Sequence, residues 1–254
     1  MDYEKVADKV HRFLQNKLEE TGAEGYVIGV SGGLDSAVGA KMAVDAVGSE
    51  NVYGWVMPGD PSNSENMKDA RQLCDKLDLN YREVDIEKVV EDFTGTAPIS
   101  TGGVTEGNIR ARVRMIYEYM DANKNDLLVL GAGNKTEIKT GYFTKHGDGA
   151  VDVRPLADLY KTEVKELAKH IGLGQNFIEK QPTAGLWEGQ TDEGELGATY
   201  SKIDTIMEHI LETDLDIERI SDKIGIEESE VERFKQMYEK SRHKRQQPPS
   251  PSLR

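Results

Sequence analysis

The sequence predicts an α/β fold of three layers, α/β/α, with a parallel central sheet and a group of helices at the C-terminal end. Three observations predict it. Short apolar, β-branched runs alternate with helical periods at the interval expected of βαβ units. The first of those runs, Tyr26–Val30, ends in a glycine turn that leads straight into a helix. Three further helical periods, about 200–212, 217–225 and 229–242, follow one another with no strand between them. The sheet is therefore expected to be Rossmann-like, with ligands at the carboxyl ends of its strands near a topological switch point.

In chain order, Val6, Val10, Phe13, Leu14 and Leu18 mark an amphipathic helix over residues 1–20. After the first strand a helix is expected over roughly Asp35–Val47, then a second strand over Asn51–Met57, stopped by Pro58 and Gly59. Residues 59–66 are polar and turn-rich and read as a loop. A helix through Ala70, Leu73, Cys74 and Leu77 leads to a short strand, Tyr81–Val84. Residues 94–107 are rich in Gly, Thr and Ser and are expected to be mobile. Asn108–Asn123 is a helix with an apolar stripe at Ile109, Val113, Ile116, Tyr117 and Met120; Arg112 flanks one side of it, Arg110 and Arg114 the other. Asp126–Gly131 is a fourth buried strand, followed by a glycine-rich polar block over 131–156. A helix with Val164, Leu167, Ala168 and Ile171 on one face then runs to Gly172. Residues 181–195, with Trp187, read as an irregular loop over a site, and the Pro-rich tail after His243 as disordered when alone.

The 254 residues suit one large α/β domain or one domain with a helical appendage, and a single domain over 1–254 is expected. No run approaches the roughly 18 apolar residues of a membrane span, and residues 1–20 are too charged for a secretory signal. The single Cys74 excludes a disulfide framework and a cysteine-rich metal site, and points to a cytoplasmic enzyme. A net charge of −14 argues against nucleic acid as a partner. The acidic surface would also suit a salt-adapted source, but the 20 lysines to 12 arginines would not.

The chemistry concentrates in Gly29-Val30-Ser31-Gly32-Gly33-Leu34-Asp35-Ser36. Gly32 and Gly33 let the backbone turn and approach a ligand closely. The exposed N–H groups and positive dipole end of the next helix make an anion site, and Ser31 and Ser36 add hydroxyls for phosphate oxygens. A carboxylate at Asp35 fits if a divalent cation stands between it and the phosphates, because Mg²⁺ is commonly held by one or two carboxylates plus phosphates. The plainer alternative is that Asp35 only caps the helix. No Gly-Lys-Ser/Thr closes the loop, so it is not a Walker A motif. It resembles the loop of enzymes that split ATP into AMP and pyrophosphate, a superfamily that includes NAD, GMP, asparagine and argininosuccinate synthetases and tRNA-thiolating enzymes.

Further motifs narrow the resemblance. Asn108-Ile-Arg-Ala-Arg-Val-Arg114, Asn134-Lys-Thr-Glu137, Thr140-Gly-Tyr-Phe-Thr-Lys-His-Gly-Asp148, Asp152, Pro182–Glu193 and His243-Lys244 resemble, in order, those of ammonia-dependent NAD synthetases over essentially the whole chain. The resemblance implies ATP-dependent amidation of deamido-NAD by ammonia, through an adenylated carboxylate, giving NAD, AMP and pyrophosphate. It implies that residues 29–36 hold ATP phosphates, that Lys161 and Thr183 contact ATP, and that Asp35 and Glu137 bind Mg²⁺, with Asp35 and Lys161 serving catalysis. It assigns Arg112, Lys145, Asp152, His243 and Lys244 to deamido-NAD, with the tail ordering over the site when substrate binds. It also implies a homodimer with that site at the interface.

One departure stands out. The residue after Gly131 is usually Thr in the family and contacts ATP; here it is Ala132. The residues before the first strand leave no room for a glutaminase domain, so the expected donor is free ammonia or ammonia from another polypeptide. Two other readings are open: another superfamily member, or a nucleotide-binding sensor without catalysis. GMP synthetase would need a dimerisation domain not found here, and tRNA thiolation cysteines and a basic surface. A sensor would have no need for both carboxylates together with the substrate residues.

Overall fold

The first strand is the hinge of the topology. In the computed structural model, which describes residues 1–59, 64–183 and 189–253, the chain runs α1 (Tyr3–Thr21), β1 (Gly25–Gly29), α2 (Leu34–Val47), β2 (Val52–Val56), α3 (Ser64–Lys76) and β3 (Asn80–Glu83). It continues through α4 (Glu87–Thr96), α5 (Val104–Asn125) and β4 (Leu127–Val129). All pairings are parallel and the strand order is β3-β2-β1-β4. The chain thus steps outward from β1 to β3, then returns to pair β4 on the other side of β1. The crevice between the carboxyl ends of β1 and β4 is the switch point, where such sheets take their ligands.

Alternation along β1 builds both cores. Tyr26 and Ile28 point into a core with α1, α2, α3 and the later helix α7 (Lys161–His170). Val27 points the other way, against residues of α4 and α5, with Trp55 and Val129. Tyr26 is wholly buried, and its hydroxyl donates to the Leu14 carbonyl at 2.6 Å. Left without that acceptor, the buried hydroxyl would cost about 1–3 kcal/mol. α1 starts where Asp2 accepts from the Lys5 N–H and stops at Gly22, which is left-handed at φ 74°.

Beyond β4 come α6 (Lys135–Thr140), α7, α8 (Gln175–Ile178), α9 (Asp192–Leu196), α10 (Tyr200–Glu212), α11 (Ile217–Ile224), α12 (Glu228–Lys240) and α13 (Arg242–Arg245). Residues of α9 to α12 form a third core with Tyr160, centred on Ile203, Ile206 and Phe234. This confirms the expected three layers and C-terminal helices.

The differences from the sequence reading have local causes. Part of the 94–107 segment is helical: α4 extends to Thr96, packing Val90 inward, and α5 begins at Val104 rather than at Asn108. The α5 stripe is only partly core, for Val113 is buried while Ile116 and Met120 are about half exposed. α6, α8 and α9 are 4 to 6 residues long, too short to show an apolar period. The C-terminal segment does not dissolve at His243; α13 continues to Arg245, whose guanidinium donates to the carbonyls of Ile138 and Lys139 and to Ser241 Oγ. Half of the 59–66 loop reading (60–63) and the part of the 181–195 loop carrying Trp187 (184–188) lie outside the described residues, and 64–66 are not loop but the first turn of α3.

Candidate active site

The glycine turn leaves β1 at the switch point. The Val30 N–H donates to the Trp55 carbonyl at 2.8 Å, carrying the pairing with β2 one residue past the strand. Gly32 then takes φ 77°, and a Cβ there would lie 1.9 Å from the Asn66 carbonyl oxygen, so no side chain fits. The two hydroxyls hold the turn itself. Ser36 Oγ donates to the Gly33 carbonyl at 3.1 Å and accepts from the Ser31 N–H at 3.2 Å, while Ser31 Oγ accepts from the Gly33 N–H at 3.3 Å.

Asp35 is not the helix cap. Gly33 occupies that position without a side-chain bond, and Asp35 stands in the first turn of α2. Its carboxylate crosses to the later half of the chain: one oxygen accepts from Asn134 Nδ2 at 3.0 Å and the other pairs with the Lys161 ammonium. Lys161 opens α7, where its N–H donates to Thr136 Oγ1 at 2.9 Å, and its side chain is buried above the Tyr200 ring. Lys161 Nζ also lies 3.8 Å from Glu137.

Glu137 is fixed by a capping box. Asn134 Oδ1 accepts from the Glu137 N–H at 3.0 Å, and Glu137 Oε2 accepts from the Asn134 N–H at 3.2 Å. Asn134 thereby joins both carboxylates to one wholly buried side chain. Burial, and then the charge of Asp35, push the Glu137 carboxyl up to about 8, with Lys161 pulling the other way. Burial works against the Lys161 ammonium, but Asp35 and Glu137 outweigh it and hold its pKa above the ordinary lysine value.

The expected phosphate-binding residues Gly29, Val30, Ser31, Gly33, Leu34, Asp35 and Ser36 line one cavity of about 480 Å³, together with Glu137, Lys161, Thr183, Lys244 and Ala132. Gly32 forms the turn behind it. A second, wider groove of about 730 Å³ is lined by Lys145, Asp152 and Lys244 among the expected residues, and also by Lys17, Arg154 and Arg245. Lys244 lines both, and donates to the carbonyls of Gly141 and Phe143 at 2.7 Å. Arg112 lines neither, but donates to the Lys145 carbonyl at 3.1 Å and so stands beside the second groove. Asp152 accepts from the Val129 N–H at 2.8 Å and from the Tyr119 hydroxyl at 3.1 Å. His243 is exposed and lines neither cavity.

The sequence reading missed Asn134, Asp192 and Tyr200 as site residues. Asp192 is buried in α9, where its carboxylate accepts from the Tyr200 hydroxyl at 3.0 Å and the Tyr142 hydroxyl at 3.2 Å. Its charge helps to raise both Glu137 and Lys161. The available signal was that Asn134 stands three residues before Glu137 at the end of a strand, the spacing of a capping box.

A parallel sheet whose switch-point turn offers helix N–H groups, beside a lysine held between two carboxylates, defines an α/β protein built to take a phosphorylated ligand. Sequence comparison narrows the class. Residues 6–248 match the family described as NAD synthase, and the chain belongs to that family. An NH₃-dependent NAD(+) synthetase of Thermococcus kodakarensis is 44% identical over 253 residues, covering 100% of this chain and 99% of that protein. Among solved structures, an NMN synthetase from Francisella tularensis superposes with a TM-score of 0.88 at 34% identity, covering 100% of both chains. An NH₃-dependent NAD synthetase from Campylobacter jejuni gives 0.85 at 31% identity, covering 99% of this chain and 100% of that one.

Proposed function

We propose that this chain amidates deamido-NAD with ammonia at the expense of ATP, forming NAD, AMP and pyrophosphate. Membership of the NAD synthase family and near-complete alignment with NH₃-dependent NAD(+) synthetases support the reaction, and ATP is the family's co-substrate. The observation that carries the reading to this site is the Asp35–Lys161–Glu137 cluster beside the glycine turn.

A carboxylate is a poor acceptor for ammonia. One of its oxygens therefore attacks the α-phosphorus of ATP, the bond to pyrophosphate breaks, and the resulting acyl adenylate carries AMP as a leaving group. Ammonia nitrogen then forms the C–N bond, the bond to AMP breaks, and a proton leaves the nitrogen. The first step brings an anionic carboxylate against anionic phosphates, and the repulsion has to be offset by fixed positive groups. The N–H groups at the start of α2 and the Lys161 ammonium supply them, with Thr183 at the cavity wall. Asn134 keeps Asp35 and Glu137 turned toward the same lysine.

Asp35 and Glu137 would hold Mg²⁺. Two mostly buried carboxylates facing one ammonium suit a hard cation with oxygen ligands, and among the described residues no larger metal-ligating cluster forms. When bound, such an ion would neutralise phosphate charge. The second groove, lined by five lysines and arginines besides Asp152, suits the diphosphate of deamido-NAD, with Lys145, Asp152 and Lys244 in it and Arg112 and His243 nearby. A homodimer is supported by the half-exposed Ile116 and Met120, one helical turn apart on α5. Among the described residues no helix is long and apolar enough to cross a membrane. The single Cys74, a free and buried thiol, supports the cytoplasm as the compartment.

A second reading follows from the Francisella relative: the substrate could be the mononucleotide carboxylate rather than the dinucleotide. One experiment separates these. AMP and amide product are measured with ATP, Mg²⁺, ammonium and either deamido-NAD or the nicotinate mononucleotide, omitting each component in turn. One AMP per NAD from the complete dinucleotide mixture alone supports the proposal. A preference for the mononucleotide selects the second reading, and ATP binding without AMP release sinks both.

A further inference from the structure

The glycine turn is held from outside by a residue that none of the assignments above includes. Lys180 Nζ donates to the Gly32 carbonyl at 2.8 Å and pairs with the Asp69 carboxylate. It lies between Ile178, the end of α8, and Thr183, and it lines the same cavity as Ser31, Gly33 and Thr183. Its side chain is 16% exposed, so it is enclosed but not sealed off.

The arrangement is specific. Gly32 is forced into a left-handed conformation against the Asn66 carbonyl, and its own carbonyl dipole is covered by the Lys180 ammonium. An uncovered carbonyl there would present negative charge beside the place where phosphate oxygens are expected. Asp69, which is buried, orients the ammonium through one oxygen while Asn176 Nδ2 donates to the other at 2.9 Å. An ammonium has three donors. Among the described residues two of the three have hydrogen-bond acceptors, with the Phe177 ring centroid 5.7 Å from the nitrogen, which leaves one N–H for a ligand in the cavity. If Lys180 turns toward a polyphosphate, Asp69 still keeps the Asn176 hydrogen bond, so the carboxylate is not left bare.

We propose that Lys180 is a further phosphate-binding residue, directed at the pyrophosphate portion of ATP and oriented for it by Asp69. This deepens the proposed function and rests on its assignment of the cavity to ATP. Lys161, on the far side of Asp35, and Lys180, on the Gly32 side, then flank the turn with one positive charge each.

The test is equilibrium binding of inorganic pyrophosphate and, separately, of AMP to the full chain, by calorimetry at fixed salt and without Mg²⁺. Lys180→Met removes the charge. Lys180→Gln removes it while keeping an N–H that can reach toward the Gly32 carbonyl, which guards against a misshapen turn, and Lys180→Arg keeps the charge. The expected result is that the Met and Gln variants lose roughly ten- to hundredfold in pyrophosphate affinity, the scale of a charge-assisted hydrogen bond, with AMP affinity within about twofold of wild type. The Arg variant should recover part of the loss. Unchanged pyrophosphate affinity in both neutral variants overturns the proposal. So does an equal loss of AMP and pyrophosphate with a lowered Tm, which would mark Lys180 as purely structural. Failure of the ligase reading is seen separately: a wild-type chain that makes no NAD, yet loses pyrophosphate binding in Lys180→Gln, removes that reading and keeps Lys180.

Discussion

Asn134 donates to Asp35 at 3.0 Å across a separation of 99 residues, and its other side-chain atom caps the helix that carries Glu137. One amide therefore sets both carboxylates. Asn134→Ala should lose the cap, worth about 0.5–2 kcal/mol, and lower Tm by about 2–4 °C for each kcal/mol in a chain of this size. ATP turnover should fall further than stability predicts, because Asp35 and Glu137 lose their common reference. Thermal melts beside AMP release check this, and turnover that merely follows the folded fraction would refute it.

Asp35 lies in the first turn of α2, where the fold does not need it as a cap. Asp35→Ala should keep the fold and lose roughly 10²–10³-fold in AMP release, the scale of a preorganised electrostatic group. Near-wild-type AMP release by the variant would remove Asp35 from the mechanism.

The two glycines of the turn should differ. Gly32 combines φ 77° with a backbone oxygen 1.9 Å from any Cβ, whereas a Cβ on Gly33 would meet only Ser31 Oγ at 3.3 Å. Gly32→Ala should cost at least the roughly 1–3 kcal/mol of a strained backbone and abolish measurable ATP binding. Gly33→Ala should be milder in both Tm and ATP affinity. Equal effects would show that the turn tolerates a side chain where the geometry says it cannot.

Ala132 lines the cavity where relatives are expected to present a hydroxyl. Ala132→Thr should strengthen ATP binding by about two- to twelvefold, equivalent to one hydrogen bond of 0.5–1.5 kcal/mol. Steady-state KM for ATP reads it, and a weaker KM would mean that the methyl group clashes instead.

Glu118, on α5, lies under β1, where a Cβ on Gly29 would come within 2.3 Å of its carboxylate. Burial pushes this carboxyl up to about 8, against the pull of Arg114. Its folded pKa therefore exceeds the ordinary carboxylate value near 4.5. Stability attached to the neutral form is complete below that ordinary value and is lost as pH rises toward 8. Glu118→Gln removes this loss, so its Tm should gain on wild type between pH 5 and pH 8 and hold a constant lead above. A difference independent of pH would show that Glu118 is charged in the fold.

Much of this protein was legible in the chain itself. The β-branched run at Tyr26–Val30, the glycine turn and the following helix are local patterns, because a buried strand and a left-handed turn each demand particular residue types over a few positions. The same holds for α10, whose period runs over Tyr200–Glu212 as expected. Asp35 and Glu137 were legible as carboxylates in glycine-bearing turns after strands.

Tertiary structure decided the rest. That Asn134, Lys161 and Asp192 converge on those carboxylates depends on β4 pairing beside β1 and on α7, α9 and α10 closing over α6, contacts between segments far apart in the chain. That Lys180 covers the Gly32 carbonyl depends on α8 meeting α3 through Asn176 and Asp69. Apolar period marked Val113, Ile116 and Met120 alike, yet only Val113 is covered, since periodicity records which residues share a face and not how far the neighbouring layer extends over it. Local sequence fixes backbone conformation within a few residues, whereas a site made of charges needs partners at 3–4 Å, and only the packing of distant segments brings them there.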